Sequence, residues 1–326
     1  MKLKSSAAIA DRPDVRITVN RAGGGRRLAV FRRDVPYLVM LLIPTAFFLI
    51  FKYWPMFGLA MAFQNYKVGS PFIGAGANWV GLKWFRQLFG SPLFGRLIKN
   101  TLAISSLSLI ISFPFSILFA VLINEIVNRK LKTFTSNISL LPYFISTVVI
   151  VGVMFNFFSV DDGVFNTLRA KLGGGKIDFM GTSRWFRTMY IGSDVWQYTG
   201  FNSVVFTAAI SGIDPTLYEA AAIDGSSRFK NIFHITLPCI MPTIIIMFIL
   251  RIGRLLSVGY EKIILMYSPG VYDVADTLST YSYRAGILDG KLSLSTAIGL
   301  FDSVCNLILL LAANRISKKF SETSLW

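Results

Sequence analysis

The sequence predicts an all-α integral membrane protein of about six transmembrane helices, with a further short helix exposed between the fourth and the fifth. Three observations carry that prediction. The 326 residues are 53% hydrophobic and 14% aromatic, with a mean hydropathy of +0.57, too apolar for an ordinary soluble fold of this length. The apolar residues are gathered into blocks of roughly 20, the length a helix needs to cross a hydrocarbon core about 30 Å thick, whereas a soluble core would spread them with a helical or strand period. The connections between blocks are rich in Gly, Asp, Lys and Arg, as expected of loops with short interfacial helices.

The chain opens on Lys2, Lys4, Arg12, Arg16, Arg21, Arg26, Arg27, Arg32 and Arg33 before any apolar block, and no small-residue cleavage site follows the first block. Residues 1–34 therefore read as a retained basic tail and not a signal peptide. Its mixed polar composition suits a solvated arm, and anionic lipid headgroups are the sharper alternative. The first apolar block runs from about Tyr37 to Phe63 and is interrupted by Pro44, Lys52 and Pro55, so it is expected to tilt, kink or emerge early. The second runs from about Thr101 to Ile123 with Pro114 inside it. The others run from about Ile138 to Phe158, Met189 to Ile210, Cys239 to Leu256 and Leu294 to Ala313. The connection from Val160 to Arg187, with Gly173-Gly174-Gly175, contains nothing that resembles a separate soluble domain.

Six spans put both termini on one side, and the distribution of Lys and Arg near span ends assigns that side to the cytoplasm. Seventeen basic residues fall there and twelve on the other side. The bias has the expected sign but is modest, and the tail supplies much of it. The twelve include Lys67, Lys83, Arg86 and Arg96, in a stretch from Asn65 to Ile98 that holds no acid. Cys239 and Cys305 have no metal-ligand spacing and read as packing residues. His234 is the sole histidine, so chemistry that needs a histidine cluster has no material in this chain.

The most specific segment is residues 213–238. Asp214 is a good N-cap and Pro215 a good first helical residue, and three alanines follow Glu219. Gly225 can take the left-handed conformation that ends the helix. Ser226 or Ser227 can cap a second helix with Phe229, Ile232, Phe233 and Thr236 on one face, which Leu237-Pro238 is expected to stop. The alanines would let another surface approach closely, and Glu219 would offer it a carboxylate. Without further information the segment is equally readable as an ordinary amphipathic connector.

Glu219-Ala220-Ala221, three residues to Gly225, then nine residues to Ile235, Leu237 and Pro238 resembles the signature loop of permeases in binding-protein-dependent ABC importers. The likeness extends to Tyr53-Trp54-Pro55-Met56, Trp79-Val80-Gly81-Leu82, Lys99-Asn100-Thr101, Leu250-Arg251-Ile252-Gly253, Gly259-Tyr260-Glu261-Lys262-Ile263 and Tyr281-Ser282-Tyr283-Arg284. These short motifs resemble the subgroup that takes up oligosaccharides or polysaccharides, as in the maltose-type and alginate-type importers, and the likeness covers the chain from about Arg32. The resemblance implies a permease domain over residues 35–326 in a bacterial inner membrane. It also implies a homologous second permease, two ATPase subunits and an extracytoplasmic solute-binding protein. Glu219, Ala220, Ala221, Asp224, Gly225, Ile235, Leu237 and Pro238 would couple the chain to the ATPases. No Gly-rich loop ending in Gly-Lys-Ser/Thr is present, so ATP and Mg would be bound by the partner subunits. The chain itself would bind no cofactor or metal and would not be an enzyme, and nothing points to nucleic acid.

Polar side chains inside spans usually face a bundle interior or cavity, since a central Arg costs roughly 2.5 to 3.5 kcal/mol on insertion scales. Asn156, Trp196, Gln197, Asn202, Arg251, Arg254, Asp302 and Asn306 are the candidates, each also readable as an interhelical bonding residue. Trp196 with Tyr198, Asn202 and Asn156 would give a sugar both aromatic faces and amide donors. Arg251 and Arg254 share a helical face and suit an anionic sugar, or equally an ion pair with Asp302 or a neighbouring subunit. The excess of cations on the outer loops fits an acidic oligosaccharide, such as one derived from alginate or pectin, and fits an acidic binding protein equally well. A secondary transporter or channel is the main competing class. It would be expected to show an internal repeat with paired broken helices, and the sequence shows no convincing repeat.

Overall fold

The computed structural model describes residues 24–320 and 324–325; the expected basic tail lies outside the described residues up to position 23. The described residues contain no strand, only an isolated bridge between Gln64 and Trp79. The chain divides into two compact units between Phe57 and Gly58.

The first unit holds α1 (Gly24–Phe48), which starts inside the expected tail and runs through Pro36 and Pro44. It passes into a π turn at Leu49–Tyr53, and a 3-10 segment then covers Trp54–Phe63. The change of helix type falls at Pro55, which has no N–H to give to Phe51. The Trp54 N–H instead reaches back to the Leu49 carbonyl, five residues behind.

In the second unit, α2 (Lys83–Phe89) precedes the long α3 (Phe94–Asn124). The inner face of α3 is made of small polar residues: Thr101, Ser105, Ser108, Ser112 and Ser116 are all buried, while Ile110, Phe115 and Leu118 are exposed. That is the reverse of a soluble helix, and small side chains of this kind let helix backbones approach closely in a membrane. The helix packed on this face is α7.

Next come α4 (Arg129–Leu140), α5 (Thr147–Phe157) and α6 (Val164–Lys171). The apolar block expected as one span from Ile138 to Phe158 is broken, and the helices on either side of residues 145–146 meet at 98°. Pro142 lies in a 3-10 turn at Leu141–Phe144, and Ser146 caps α5 by accepting from the Val149 N–H; each disfavours a continuous helix. The 29-residue α7 (Ser183–Ser211) follows. Its Gly200 packs so tightly on α4 that a Cβ there would strike the backbone carbonyl oxygen of Ser139.

The remainder is α8 (Pro215–Ile223), α9 (Arg228–Asn231), α10 (Leu237–Ile252), α11 (Tyr260–Leu265), α12 (Tyr272–Ala275), α13 (Leu278–Tyr283) and α14 (Leu292–Phe320). Leu237-Pro238 does not stop a helix as expected. A π turn at Ile232–Thr236 joins α9 to α10, with the Leu237 N–H donating to the Ile232 carbonyl, so the helical path runs on from Arg228 to Ile252. The wider turn accommodates the missing donor of Pro238, the same solution as at Pro55.

Among the described residues four helical stretches are long and apolar enough to cross a membrane: Asp34–Phe63, Phe94–Asn124, Arg228–Ile252 and Leu292–Lys319. The bent pair around residue 145 makes a fifth if counted as one span. The expected fourth span falls on α7, which is long enough but carries Arg184, Arg187, Asp194 and Gln197.

A buried ionic knot ties α3 to the segment from α12 to α13. Asp276, 2% exposed, accepts from Arg284 at 2.8 Å, Thr280 at 2.9 Å and Tyr267 at 3.0 Å, with Arg96 at 3.8 Å. Asn100 donates to the carbonyls of Asp273 and Asp276, and Thr101 accepts from the Leu278 N–H. Asn100-Thr101 and Arg284, from two of the short motifs in the sequence, thus meet at one place.

Candidate functional site

Two features stand out, an exposed helix and a polar cavity, and α7 and α10 run between them. The exposed helix is α8. Asp214 caps it by accepting from the Thr216 N–H at 2.9 Å, a bond that also holds the Asp214 carboxyl below the usual carboxylate range. Its far end is a Schellman turn: Gly225 has φ +71°, its N–H reaches the Ala222 carbonyl, and the Ser226 N–H reaches that of Ala221. Glu219, Ala220, Ala222, Asp224 and Gly225 are exposed and Ala221 is half-buried. Ile223 is 88% exposed, an apolar side chain offered outward beside the alanines.

Behind it, Ser227 caps α9 by accepting from the Lys230 N–H. The Tyr218 hydroxyl meets the Thr236 hydroxyl at 2.9 Å. Leu237 and Ile232 pack with Ile213 against the buried cluster of Ala120, Val121, Phe206, Ile210 and Ile240. Ile235 is half-buried and Pro238 exposed. The segment is therefore one exposed helix seated by the first turns of the next long one: the second short helix expected from the Ser227 cap is the beginning of that long helix. Cys239, expected to pack, is exposed, and Cys305 is half-buried; both are free thiols.

The cavity has a volume of about 380 Å³ and lies where α3, α7, α10 and α11 converge. Of the six side chains expected along a solute path, Tyr198, Asn202, Arg251 and Arg254 line it, and Asn156 and Trp196 do not. Trp196 lies two positions from both Asp194 and Tyr198, which at 3.6 residues per turn turns it to the opposite side of α7, where it is 54% exposed. Asn156 lies nine residues along α5 from Thr147, the lining residue of that region, and bonds back to the Gly152 carbonyl of its own helix.

Asp194, Ser108, Ser257, Glu261 and Lys262 also belong to the polar lining, and their side chains were not among the candidates expected from the sequence. Asp194 is an acid in an apolar block, the same signal that drew attention to Arg251. Ser108 belongs to the four-and-three spaced serine series of α3. Glu261 and Lys262 stood inside a motif without being read as side chains.

A relay crosses the cavity: Arg251 donates to the Ser108 hydroxyl at 3.4 Å, and Ser108 donates to Asp194 at 3.2 Å. Neither Arg251 nor Arg254 forms an ion pair with Asp302 among the described residues. That carboxylate instead accepts from Ser257 at 3.3 Å and from Asn306 at 3.2 Å. Asn306 also donates to Ser257 and accepts from the Leu256 N–H, and the Val258 carbonyl accepts from Ser279 at 2.6 Å. These bonds fix the turn after α10, which carries Arg254, Ser257 and Gly259 into the wall.

Lys262 is 6% exposed, with its Nζ 5.3 Å from the centre of the Tyr190 ring. Burial pushes its pKa down to about 8, against the opposing pull of Asp194. The group stays protonated near neutral pH. Three cations and two acids therefore surround the space, and its balance is positive.

A bundle of long apolar helices around a positively lined cavity, with a capped helix held out at the end of the long connecting elements, defines a polytopic membrane transport component. Residues 112–322 match the family described as binding-protein-dependent transport system inner membrane component, and the chain belongs to that family, the permeases of ABC importers. It is 40% identical over 321 residues, covering 98% of this chain and 99% of the relative, to the polygalacturonan/rhamnogalacturonan transport system permease protein YteP of Bacillus subtilis (strain 168). Two crystal structures are each 41% identical in sequence. One is of a bacterial ABC transporter involved in the import of the acidic polysaccharide alginate, with a TM-score of 0.81 over 90% of this chain and 99% of that one. The other is of a bacterial alginate ABC transporter in complex with an alginate pentasaccharide-bound periplasmic protein, with a TM-score of 0.83 over 92% and 100%.

Proposed function

We propose that the chain is one permease of a sugar importer, forms half of the path of an acidic oligosaccharide, and is driven by separate ATPase subunits that bind α8. The observation that carries this reading is the cavity lined by Arg251, Arg254 and Lys262, whose positive balance suits uronate carboxylates. The kinship with polygalacturonan and alginate systems supports the same chemistry. A homologous permease would supply the other half of the path, a solute-binding protein would deliver the sugar, and ATP and Mg would act on the ATPases alone.

In this reading the permease domain has six spans, with the bent pair and α7 as the third and fourth, and both termini are cytoplasmic. The exposed face of Glu219, Ala220, Ala221, Asp224 and Gly225 would sit in a cleft of an ATPase, backed by Ile235, Leu237 and Pro238. Tyr198 and Arg251 sit thirteen residues before the end of α7 and fourteen after the start of α10, roughly 20 Å along either axis. α7 runs from the cavity to the α8 region as one helix, and α10 does so through the π turn that joins it to α9, so a displacement of α8 would reach the cavity wall as a rigid-body motion.

The test is purification of the tagged chain with its partners, followed by ATPase and uptake assays with a binding protein and oligogalacturonate. Sugar-stimulated hydrolysis and uptake are expected. Glu219→Ala and Gly225→Pro should each separate hydrolysis from uptake while leaving insertion intact, and normal uptake by both would overturn the role of α8. Transport by the chain alone would instead make it a secondary carrier.

A further inference from the structure

The Lys262 ammonium is the least accounted-for charge in the cavity wall. Its Nζ is buried and has no hydrogen-bond partner among the described residues, although Lys262 itself lines the cavity. It lies 5.3 Å from the centre of the Tyr190 ring and within the field of Asp194, and neither a ring quadrupole nor a carboxylate out of bonding reach replaces all the hydration an ammonium loses on burial. The acids in the same wall do not supply the rest: Asp194 accepts from Ser108, and neither Asp194 nor Glu261 forms an ion pair with Lys262 among the described residues. A buried ammonium without a hydrogen-bond partner carries a desolvation cost that packing of its stem alone does not offset.

We propose that Lys262 is the carboxylate-binding cation of the cavity, its ammonium resting on the Tyr190 ring and extending to a uronate carboxylate when an acidic oligosaccharide enters. The proposal rests on the acidic-oligosaccharide reading given under the proposed function. The arginines are placed differently. Arg251 already donates to Ser108, and both Arg251 and Arg254 are exposed, so they attract an anion without lacking a partner. Lysine suits the docking role because its ammonium is a compact charge on a flexible stem. A substrate carboxylate would complete a charge-assisted hydrogen bond that the surrounding protein groups do not make.

The experiment is equilibrium binding of a short oligogalacturonate, and of the same oligomer fully methyl-esterified, to the solubilised assembled importer. The ester keeps the sugar and removes its charge. The native importer should bind the acid at least roughly tenfold more tightly than the ester, as expected for a charged hydrogen bond. Lys262→Met should weaken binding of the acid by roughly tenfold and bind the ester with a much smaller change, so that the preference shrinks to what Arg251 and Arg254 supply, and Lys262→Arg should retain it. If Lys262→Met does not assemble, Lys262→Gln serves for the same comparison. An undiminished preference for the acid in the neutral variant overturns the role of Lys262 and leaves the acidic-sugar reading standing. A native importer that does not distinguish acid from ester overturns that reading, and the inference with it.

Discussion

At the scale of single residues, the buried carboxylate of Asp276 gathers two cations and two hydroxyls at one place. Its removal leaves the Arg284 and Arg96 cations and the Thr280 and Tyr267 hydroxyls without their common acceptor. Asp276→Ala should therefore destabilise the bundle by about 2 to 4 kcal/mol, allowing for the partial exposure of both arginines. Thermal unfolding in detergent would register it, and an unchanged midpoint would mean the knot is ornamental. Asp214 gives a pH dependence. Its carboxyl is held below the ordinary range by the Thr216 N–H, so the cap's contribution is fully present above the unfolded pKa of about 3.9 and is lost as pH falls through the lower folded value. Amide exchange at the start of α8 should be flat from neutral pH down to about pH 4 once the intrinsic rate is removed, and should rise only in stronger acid. Individual side chains were the hardest part to read from the sequence. A polar residue in an apolar block announces that it faces something, but not what: Arg251 faces the cavity, Asn156 bonds to its own helix, and Trp196 lies on the far side of α7. Only the angular positions on a folded helix separate them.

At the scale of elements, local chemistry was legible wherever one residue closes a backbone turn. Asp214, Pro215 and Gly225 bound α8 in the sequence and in the structure. Gly225→Ala would force a Cβ into the left-handed region, at a cost of roughly 1 to 2 kcal/mol. Faster amide exchange at Ser226 is the expected signature of the opened Schellman turn. Prolines misled because their effect depends on the surrounding helix. Pro238 was expected to end a helix, and the π turn before it lets the helix continue. Close approach between elements left no sequence mark, since Gly200 looks like any other glycine in an apolar block. Gly200→Val should push α7 away from Ser139 of α4 and cost about 1 to 3 kcal/mol in the packed bundle. The yield of folded, monodisperse protein would report that loss.

At the scale of the whole molecule, the sequence leads to six spans, and the described residues contain four long apolar helical stretches, or five with the bent pair. Single cysteines at Lys83 and Arg228, in a background without Cys239 and Cys305, should react with impermeant reagents from opposite sides of the membrane; labelling from the same side would remove the six-span arrangement. The path from α8 to the cavity depends on one further detail, the π turn at Ile232–Thr236. A π turn holds one residue more than the α turn it replaces, so it acts as a phase shift, advancing every later position of the same helix by about 100°. The azimuth of Arg251 is thus set some fifteen to nineteen residues upstream, where that arginine makes no contact. Deleting one residue from that turn would preserve every side chain of the wall and every cap of α8, yet rotate the Arg251 guanidinium away from the space it lines.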